Sequence, residues 1–187
     1  SEARRPVVLD EAGGIGMFGV GYQRACRKAD ENKAGCYSWS DLDEIQNTIN
    51  EIKKVCRRCV VVAHAGEEFT PLPSPYTRER YHKYLEMGAD MVIGHHPHVL
   101  QPIEEYNGGI IYYSLGNFAF GGNSVPKDHD TAVLQQEIIR EPDGSIHLGK
   151  LTIIPCSVSS IKERNNFQPT PYEEGSEEYK RVLSKLD

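Results

Sequence analysis

Three short apolar runs dominate the hydrophobic pattern of the chain, and each ends in polar residues that could do chemistry. The runs are CVVVAH at 59–64, MVIGHHPH at 91–98 and IIYYSLGN at 110–117. Short, continuously apolar runs between polar segments predict strands that are buried on both faces, as in a parallel sheet covered by helices. Because ligands bind at the carboxyl ends of strands in such sheets, we expect a functional site at this edge.

A helix is predicted before the first of these runs. Apolar side chains recur three and four residues apart from Leu42 to Cys56, which predicts a helix whose apolar face lies on the sheet. Ser40, with Asp43 three residues later, predicts its N-cap. Upstream of this helix, the pattern predicts an entry strand or loop at 2–12, a buried strand at 14–21 and a long loop at 23–38.

A second helix is predicted between the first two apolar runs. Ser74 and Pro75 are typical of an N-cap and a first helical residue, and the helix should continue to about Met87 and stop at Gly88. A strand, helix and parallel strand in this order form a right-handed crossover. The ends of the first two runs should therefore lie at the same edge of the sheet.

Antiparallel strands are predicted after the parallel part. One hairpin, PIEEYNGGIIYY, should turn at Asn107 and Gly108, and a second, at 134–154, should turn between Pro142 and Gly144. We expect one α/β domain over 1–187, with its main sheet region at 15–156, followed by an irregular segment and a C-terminal helix at 157–187.

Composition and charge exclude some partners. The 187 residues are 39% hydrophobic and 26% charged, which is ordinary for a globular domain, and the net charge is −6. We expect no nucleic-acid partner, because phosphate-backbone binding needs a positively charged face. No apolar run approaches the roughly 20 residues that cross a bilayer, and the start has no signal-peptide core. The chain begins with Ser1 rather than Met, so we expect an excised piece whose anchor, if any, lies upstream.

Cysteine usage does not define a site. The five cysteines are an odd, scattered set that fits neither a dense disulfide scaffold nor a four-thiolate zinc site, and the redox compartment stays open. Cys56 and Cys59 form a C-x-x-C pair, which we interpret as two buried small residues. A redox or zinc-ribbon module would need a second such pair.

Four of the seven histidines cluster at two strand ends, at His64, His95, His96 and His98. In locally extended backbone the side chains at i and i+2 project to one side, so His96 and His98 could converge on one ion. Imidazole suits zinc, iron, manganese or nickel. His64 would be a third nitrogen ligand, and His95 could be an outer-sphere group or a general acid. The alternative is that all four are hydrogen-bonded core histidines.

Other polar residues near these ends are weaker candidates. Glu68 could orient a ligand histidine or a bound water, and Glu67 is an equally placed competitor. Asn117 could donate to an oxyanion or cap the following turn, and spacing leaves both open. The remaining histidines are interpreted as structural: His82, His129 and His147.

Three segments resemble a known family. HAGEEF at 64–69, GADMVIGHHPHVLQPIEEY at 88–106 and YSLGNFAF at 113–120 resemble the second half of CapA-type proteins of bacterial poly-gamma-glutamate capsule synthesis, in the calcineurin-like metallophosphoesterase superfamily. The resemblance covers roughly residues 2–122. It implies an α/β two-sheet sandwich flanked by helices, divalent manganese, zinc or iron, and two ions in the complete domain. It implies metal ligands at His64, His96 and His98, and it places Glu68 and Asn117 in matching segments. We expect catalytic roles for His95, Glu68 and Asn117.

The chain lacks a counterpart of the first half of the superfamily pattern, which holds an Asp-containing strand end, an Asn-Leu-Glu segment and an Asn-His segment. Two-metal sites need bridging and terminal carboxylates. The resemblance therefore implies a capsule or poly-gamma-glutamate biosynthesis protein whose metal-dependent hydrolase site is incomplete in this chain. The alternative is a non-catalytic polymer-binding or assembly component.

The resemblance also implies partners and a location. The expected partners are the missing N-terminal half, a polyanionic polymer or phosphoester substrate, and other capsule synthesis proteins. The expected location is extracytoplasmic, or membrane-associated through an upstream anchor.

Overall fold

Two sheets and a set of helices form the framework of the protein. The computed structural model describes residues 2–9, 14–22, 24, 26–122 and 124–187. Within these ranges the strands are β1 (Val7–Leu9), β2 (Ile15–Gly21), β3 (Arg58–His64), β4 (Met91–His95), β5 (Leu100–Tyr106), β6 (Gly109–Leu115), β7 (Asp130–Arg140), β8 (Ile146–Ser157) and β9 (Thr170–Pro171). The helices are α1 (Leu42–Val55), α2 (Pro75–Glu86) and α3 (Glu177–Leu186), with a 3-10 turn at Glu2–Arg4.

The larger sheet has the strand order β1-β2-β3-β4-β6-β5. Strands β2, β3, β4 and β6 run parallel, whereas β1 and β5 pair antiparallel at the two edges. The three apolar runs are therefore neighbouring parallel strands, as the sequence predicts. Of the expected entry segment at 2–12, residues 10–12 lie outside the described residues.

Both faces of this sheet are covered, which explains why its strands are almost continuously apolar. In β3, Cys59, Val61 and Ala63 pack into the core beneath α1 and α2. The alternate residues Val60 and Val62 pack toward the smaller sheet. Burial of one such aliphatic side chain contributes roughly 1.5–3 kcal/mol. The two faces together hold the carboxyl ends of the strands in register.

Helix α1 has the predicted apolar face, with Ile45, Ile49 and Ile52 buried against the sheet. The predicted N-cap is wrong, because the cap position is Asp41 and no side chain caps the helix. The Ser40 hydroxyl contacts the hydroxyl of Ser38 instead, at 3.4 Å. The Ser74 cap of α2 is confirmed, since its side chain accepts from the backbone N–H of Thr77.

The smaller sheet, in the order β7-β8-β9, packs on the face of the larger sheet opposite α1 and α2. Both predicted hairpins form, with β5 pairing β6 and β7 pairing β8. The region at 15–156 is thus divided between two sheets. Within the segment expected to be irregular, β9 adds a short strand. In α3, Val182 and Leu186 are buried against Leu100 and Ala132, so the predicted C-terminal helix forms and packs on the domain.

Candidate functional site

The carboxyl ends of β3 and β4 meet at one edge of the larger sheet. His64 and His95, the last residues of these strands, are register partners. The backbone N–H of Tyr22, just after β2, donates to the carbonyl of His64 at 3.0 Å. Three strands therefore end side by side, and the predicted clustering of the histidines at one edge is confirmed.

The loop after β3 folds back over the turn after β4. The backbone N–H of Phe69 donates to the carbonyl of Pro97 at 2.8 Å. Gly66 has a φ of 115°, and a Cβ added there would lie 3.2 Å from Cγ of Pro97, so a larger residue would disturb this approach. The fold brings Glu68 to the histidines through this contact.

The backbone around Pro97 differs from the predicted extended conformation. His96 has a φ of 103° and His98 a φ of 61°, which lie in the left-handed region. The two rings still come together, with centroids 6.0 Å apart, but a tight turn rather than strand geometry directs them to one side. Such backbone costs on the order of 1–3 kcal/mol per residue and clusters at functional sites.

One group of three possible metal ligands converges within the described ranges. Its members are Glu68, His96 and His98, whose ligand atoms all lie within 4.8 Å of one another. The Glu68 carboxylate is 4.0 Å from Nε2 of His96. Two imidazoles and one carboxylate are a common ligand set for zinc and for non-haem iron, with positions left open. The donor chemistry therefore fits a divalent transition metal.

Asn117 holds His98 at two points. Its Oδ1 lies 2.8 Å from Nδ1 of His98, and its Nδ2 donates to the His98 carbonyl at 3.2 Å. When Nδ1–H donates to that oxygen, Nε2 keeps its lone pair for a metal. The sequence left an oxyanion donor and a turn cap open, and orientation of a ligand histidine is a third role that it did not anticipate.

His64 and His95 lie beside this group. The ring centroid of His64 is 4.9 Å from that of His96, although His64 is not in the converging set. Burial lowers the pKa of His64, and the electrostatic influence of the neighbouring residues His96, His95 and His98 lowers it further. Burial also lowers the pKa of His95. Both rings therefore favour the neutral form, which can bind metal or accept a proton.

The other histidines have partners elsewhere. His82 contacts Glu104 at 3.0 Å and stacks on Tyr106 with ring centroids 3.7 Å apart. The ring of His147 lies 3.5 Å from Glu141. Cys56 and Cys59 are buried free thiols, as predicted.

A cavity of 440 Å³ opens beside the converging group and was not predicted from the sequence. His98 and Asn117 form one wall, whereas Phe69 and Leu100 add apolar surface and Lys127 adds charge. Lys127 has no distinctive sequence signal. A larger cavity, of 1130 Å³, lies at the opposite edge of the sheet and contains none of the converging ligands.

The fold has a counterpart among solved structures. The architecture is that of a metallophosphoesterase-like α/β sandwich. It matches the 2.05 Å crystal structure of a Staphylococcus aureus protein provisionally assigned as a 5′-nucleotidase, solved with alpha-ketoglutarate. The TM-score is 0.50 at 15% identity, over 91% of this chain and 31% of that chain.

The family follows from the sequence comparisons. The chain belongs to the bacterial capsule synthesis protein family PGA_cap, whose family model matches residues 1–122. It is 30% identical over 173 residues to the PGA biosynthesis protein CapA of Bacillus subtilis strain 168, covering 91% of this chain and 45% of that protein. It is 43% identical over 109 residues to the capsule biosynthesis protein CapA of Bacillus anthracis, covering 57% of this chain and 26% of that protein. The chain therefore spans less than half the length of these relatives.

Among the described residues, none of the helices combines the length and apolar character that spanning a bilayer requires.

Proposed function

We propose that this chain carries the histidine-rich part of a divalent-metal site that hydrolyses a phosphoester or related bond during capsule or poly-gamma-glutamate synthesis. The observation that carries the proposal is the convergence of Glu68, His96 and His98 within 4.8 Å at the carboxyl edge of the sheet. Manganese, zinc or iron fits this donor set. A bound ion would polarise the scissile group and lower the pKa of water.

The roles of the residues follow from their positions. His96 and His98 would supply imidazole nitrogens, and Glu68 a carboxylate oxygen. His64 would be a further ligand on the side of His96. His95, held neutral by burial, would exchange a proton with the reacting group. Asn117, through its bond to Nδ1, would keep His98 in the orientation that ligation needs.

The complete site would need further carboxylates, because the converging group offers only that of Glu68 among the described residues. Two ions about 3.5–4 Å apart require bridging ligands. We propose that the rest of the longer protein, which is the expected partner of this chain, supplies them. The proposed substrate is a polyanionic polymer or a phosphoester, and the proposed location is extracytoplasmic.

Metal binding tests the proposal directly. The chain would be titrated with Mn²⁺ or Zn²⁺ by calorimetry, and metal per chain would be measured after desalting. Replacing His64, His96 or His98 with Ala, or Glu68 with Gln, should weaken binding at least about tenfold, because each His change removes a nitrogen donor and the Glu68 change removes the negative charge of the carboxylate. His147→Ala removes a half-exposed histidine distant from the site and should leave affinity unchanged. Equal metal content in all variants would contradict the proposal.

The same titration also tests whether Asn117 orients His98 for metal binding. Asn117→Ala should weaken metal binding by roughly 10–100-fold, because His98 loses the partner that orients its ring. Asn117→Asp keeps an acceptor for Nδ1–H and should recover most of the affinity. If Asn117 only stabilised the fold, Asn117→Ala and Asn117→Asp would bind metal with the same affinity after correction for stability.

A further inference from the structure

Two cysteines outside the candidate metal site face each other across a glycine. Cys26 and Cys36 lie in the loop after β2 and are half-buried free thiols. A Cβ added at Gly21 would lie 2.8 Å from Sγ of both cysteines. The two sulfurs therefore meet above one backbone position that glycine leaves open.

Backbone hydrogen bonds hold the two cysteines in this arrangement. The N–H of Cys36 donates to the carbonyl of Arg27, the residue after Cys26, at 2.7 Å. The N–H of Gly21 donates to the carbonyl of Tyr37, the residue after Cys36, at 2.8 Å. The approach of the two cysteines thus follows from main-chain pairing.

The thiols also affect each other electrostatically. Burial raises the pKa of the Cys36 thiol, and the charge and hydrogen bond of Cys26 raise it further. This coupling requires the two groups to be close. Because thiolate is the reactive form, oxidation should proceed faster at mildly alkaline pH than at neutral pH.

We propose that Cys26 and Cys36 form an intramolecular disulfide that closes the loop between β2 and α1. One protein thiolate attacks a sulfur of a disulfide co-reactant such as oxidised glutathione, forming a mixed disulfide and releasing one glutathione thiolate. The second protein thiolate attacks the cysteine sulfur of that mixed disulfide and releases the second glutathione. Two protein thiols are oxidised, one glutathione disulfide is reduced, and the two protons end on the released thiols.

The other cysteines provide a contrast. The C-x-x-C pattern alone would favour Cys56 and Cys59 as the disulfide pair. However, Cys59 is fully buried in β3, and burial raises its pKa to about 12. Cys156 is buried in β8.

The proposed disulfide also lies close to the candidate metal site, because the backbone N–H of Tyr22, between Gly21 and the loop, donates to the His64 carbonyl.

The experiment oxidises the 187-residue chain with oxidised glutathione at about pH 8, then counts thiols in denaturant. Three of the five thiols should remain titratable. Tryptic digestion without reduction should yield the peptide 25–27 linked to the peptide 34–53, and reduction should separate them. This map identifies the pair directly in the unaltered chain, so it does not depend on whether a variant folds.

Variants provide the controls. Cys26→Ser or Cys36→Ser should each abolish the linked peptides and leave the remaining cysteine as a thiol or, without a second thiol to displace glutathione, as a glutathione adduct that only these variants accumulate. Cys56→Ser should still form the link and leave two. Five thiols in the oxidised unaltered chain, a stable glutathione adduct on its Cys26 or Cys36, or a link between any other pair would overturn the proposal.

Discussion

At the residue scale, the backbone of His96 adopts a conformation that is unfavourable for stability but places its ring in the candidate site. A φ of 103° is unfavourable for any side chain with a Cβ, and glycine alone adopts it without strain. The surrounding turn therefore holds His96 in a conformation that serves the placement of its ring.

This gives a prediction in which glycine is the better replacement. His96→Gly should have a free energy of unfolding about 1 kcal/mol higher than His96→Ala, because it relieves backbone strain. Both variants should lose metal affinity equally. Urea unfolding measures the difference. The same pair at His95, which lies in β4, should show the opposite order, since glycine in a strand is less stable than alanine. A His96→Ala variant at least as stable as His96→Gly would exclude strain at His96.

At the element scale, a buried ion-pair network holds α3 on the smaller sheet. The side chain of Asp130 is 2% exposed and lies 2.8 Å from both Nε of Arg181 and Nζ of Lys185. Tyr172 donates to the same carboxylate at 3.0 Å. Burial alone would raise the pKa of Asp130, but the bonds from Arg181, Lys185 and Tyr172 outweigh it and lower the pKa to about 2.

The lowered pKa predicts a dependence of stability on pH. The contribution of Asp130 is present above its unfolded pKa of about 3.9 and is lost as the pH falls through its folded pKa. Asp130→Asn should lower the free energy of unfolding by about 2–4 kcal/mol at pH 7, because Arg181 loses its carboxylate and Lys185 keeps only Asp128. The difference from the native chain should shrink between about pH 4 and pH 2.

Urea unfolding at pH 7, 4 and 2.5 measures this trend. Glu177→Gln, in the first turn of the same helix, alters an exposed pair with Lys180 and should change stability by less than about 0.5 kcal/mol at every pH. A loss for Asp130→Asn that is independent of pH would show that packing rather than charge holds α3.

At the scale of the whole molecule, the proposed chemistry depends on how much of the site this chain carries. The converging ligands include one carboxylate, and the chain spans 45% of the B. subtilis relative. The purified chain should therefore hydrolyse an aryl phosphate or phosphodiester no faster than a His96→Ala, His98→Ala double variant, even with added manganese or zinc. Addition of the remaining part of the longer protein, covalently or in trans, should be required for turnover.

The measurement is metal-dependent release of the aryl alcohol by the chain alone and by the reconstituted protein. Turnover by the isolated chain that disappears in the double variant would show that this part is self-sufficient. Metal binding without turnover in the reconstituted protein would favour the alternative of a non-catalytic polymer-binding or assembly component.

Much of the framework could be predicted from local patterns. The period of apolar residues identified α1, and the Ser-Pro pair located the start of α2. The Ser40 cap was wrong because a contact with Ser38, rather than local propensity, occupies the hydroxyl. The contact between Cys26 and Cys36 was missed because the intervening loop has no periodic signal.

The sequence by itself determined the central strands, their burial on both faces and the placement of four histidines at strand ends, since these follow from short apolar runs bounded by polar residues. Only the tertiary structure decided which side chains meet. Asn117 reaches His98, 19 residues away, because β6 returns from the β5 hairpin to pair with β4. Glu68 reaches His96 because the Phe69 backbone bonds to Pro97. Such contacts depend on chain reversal and packing between distant segments, which no local pattern encodes.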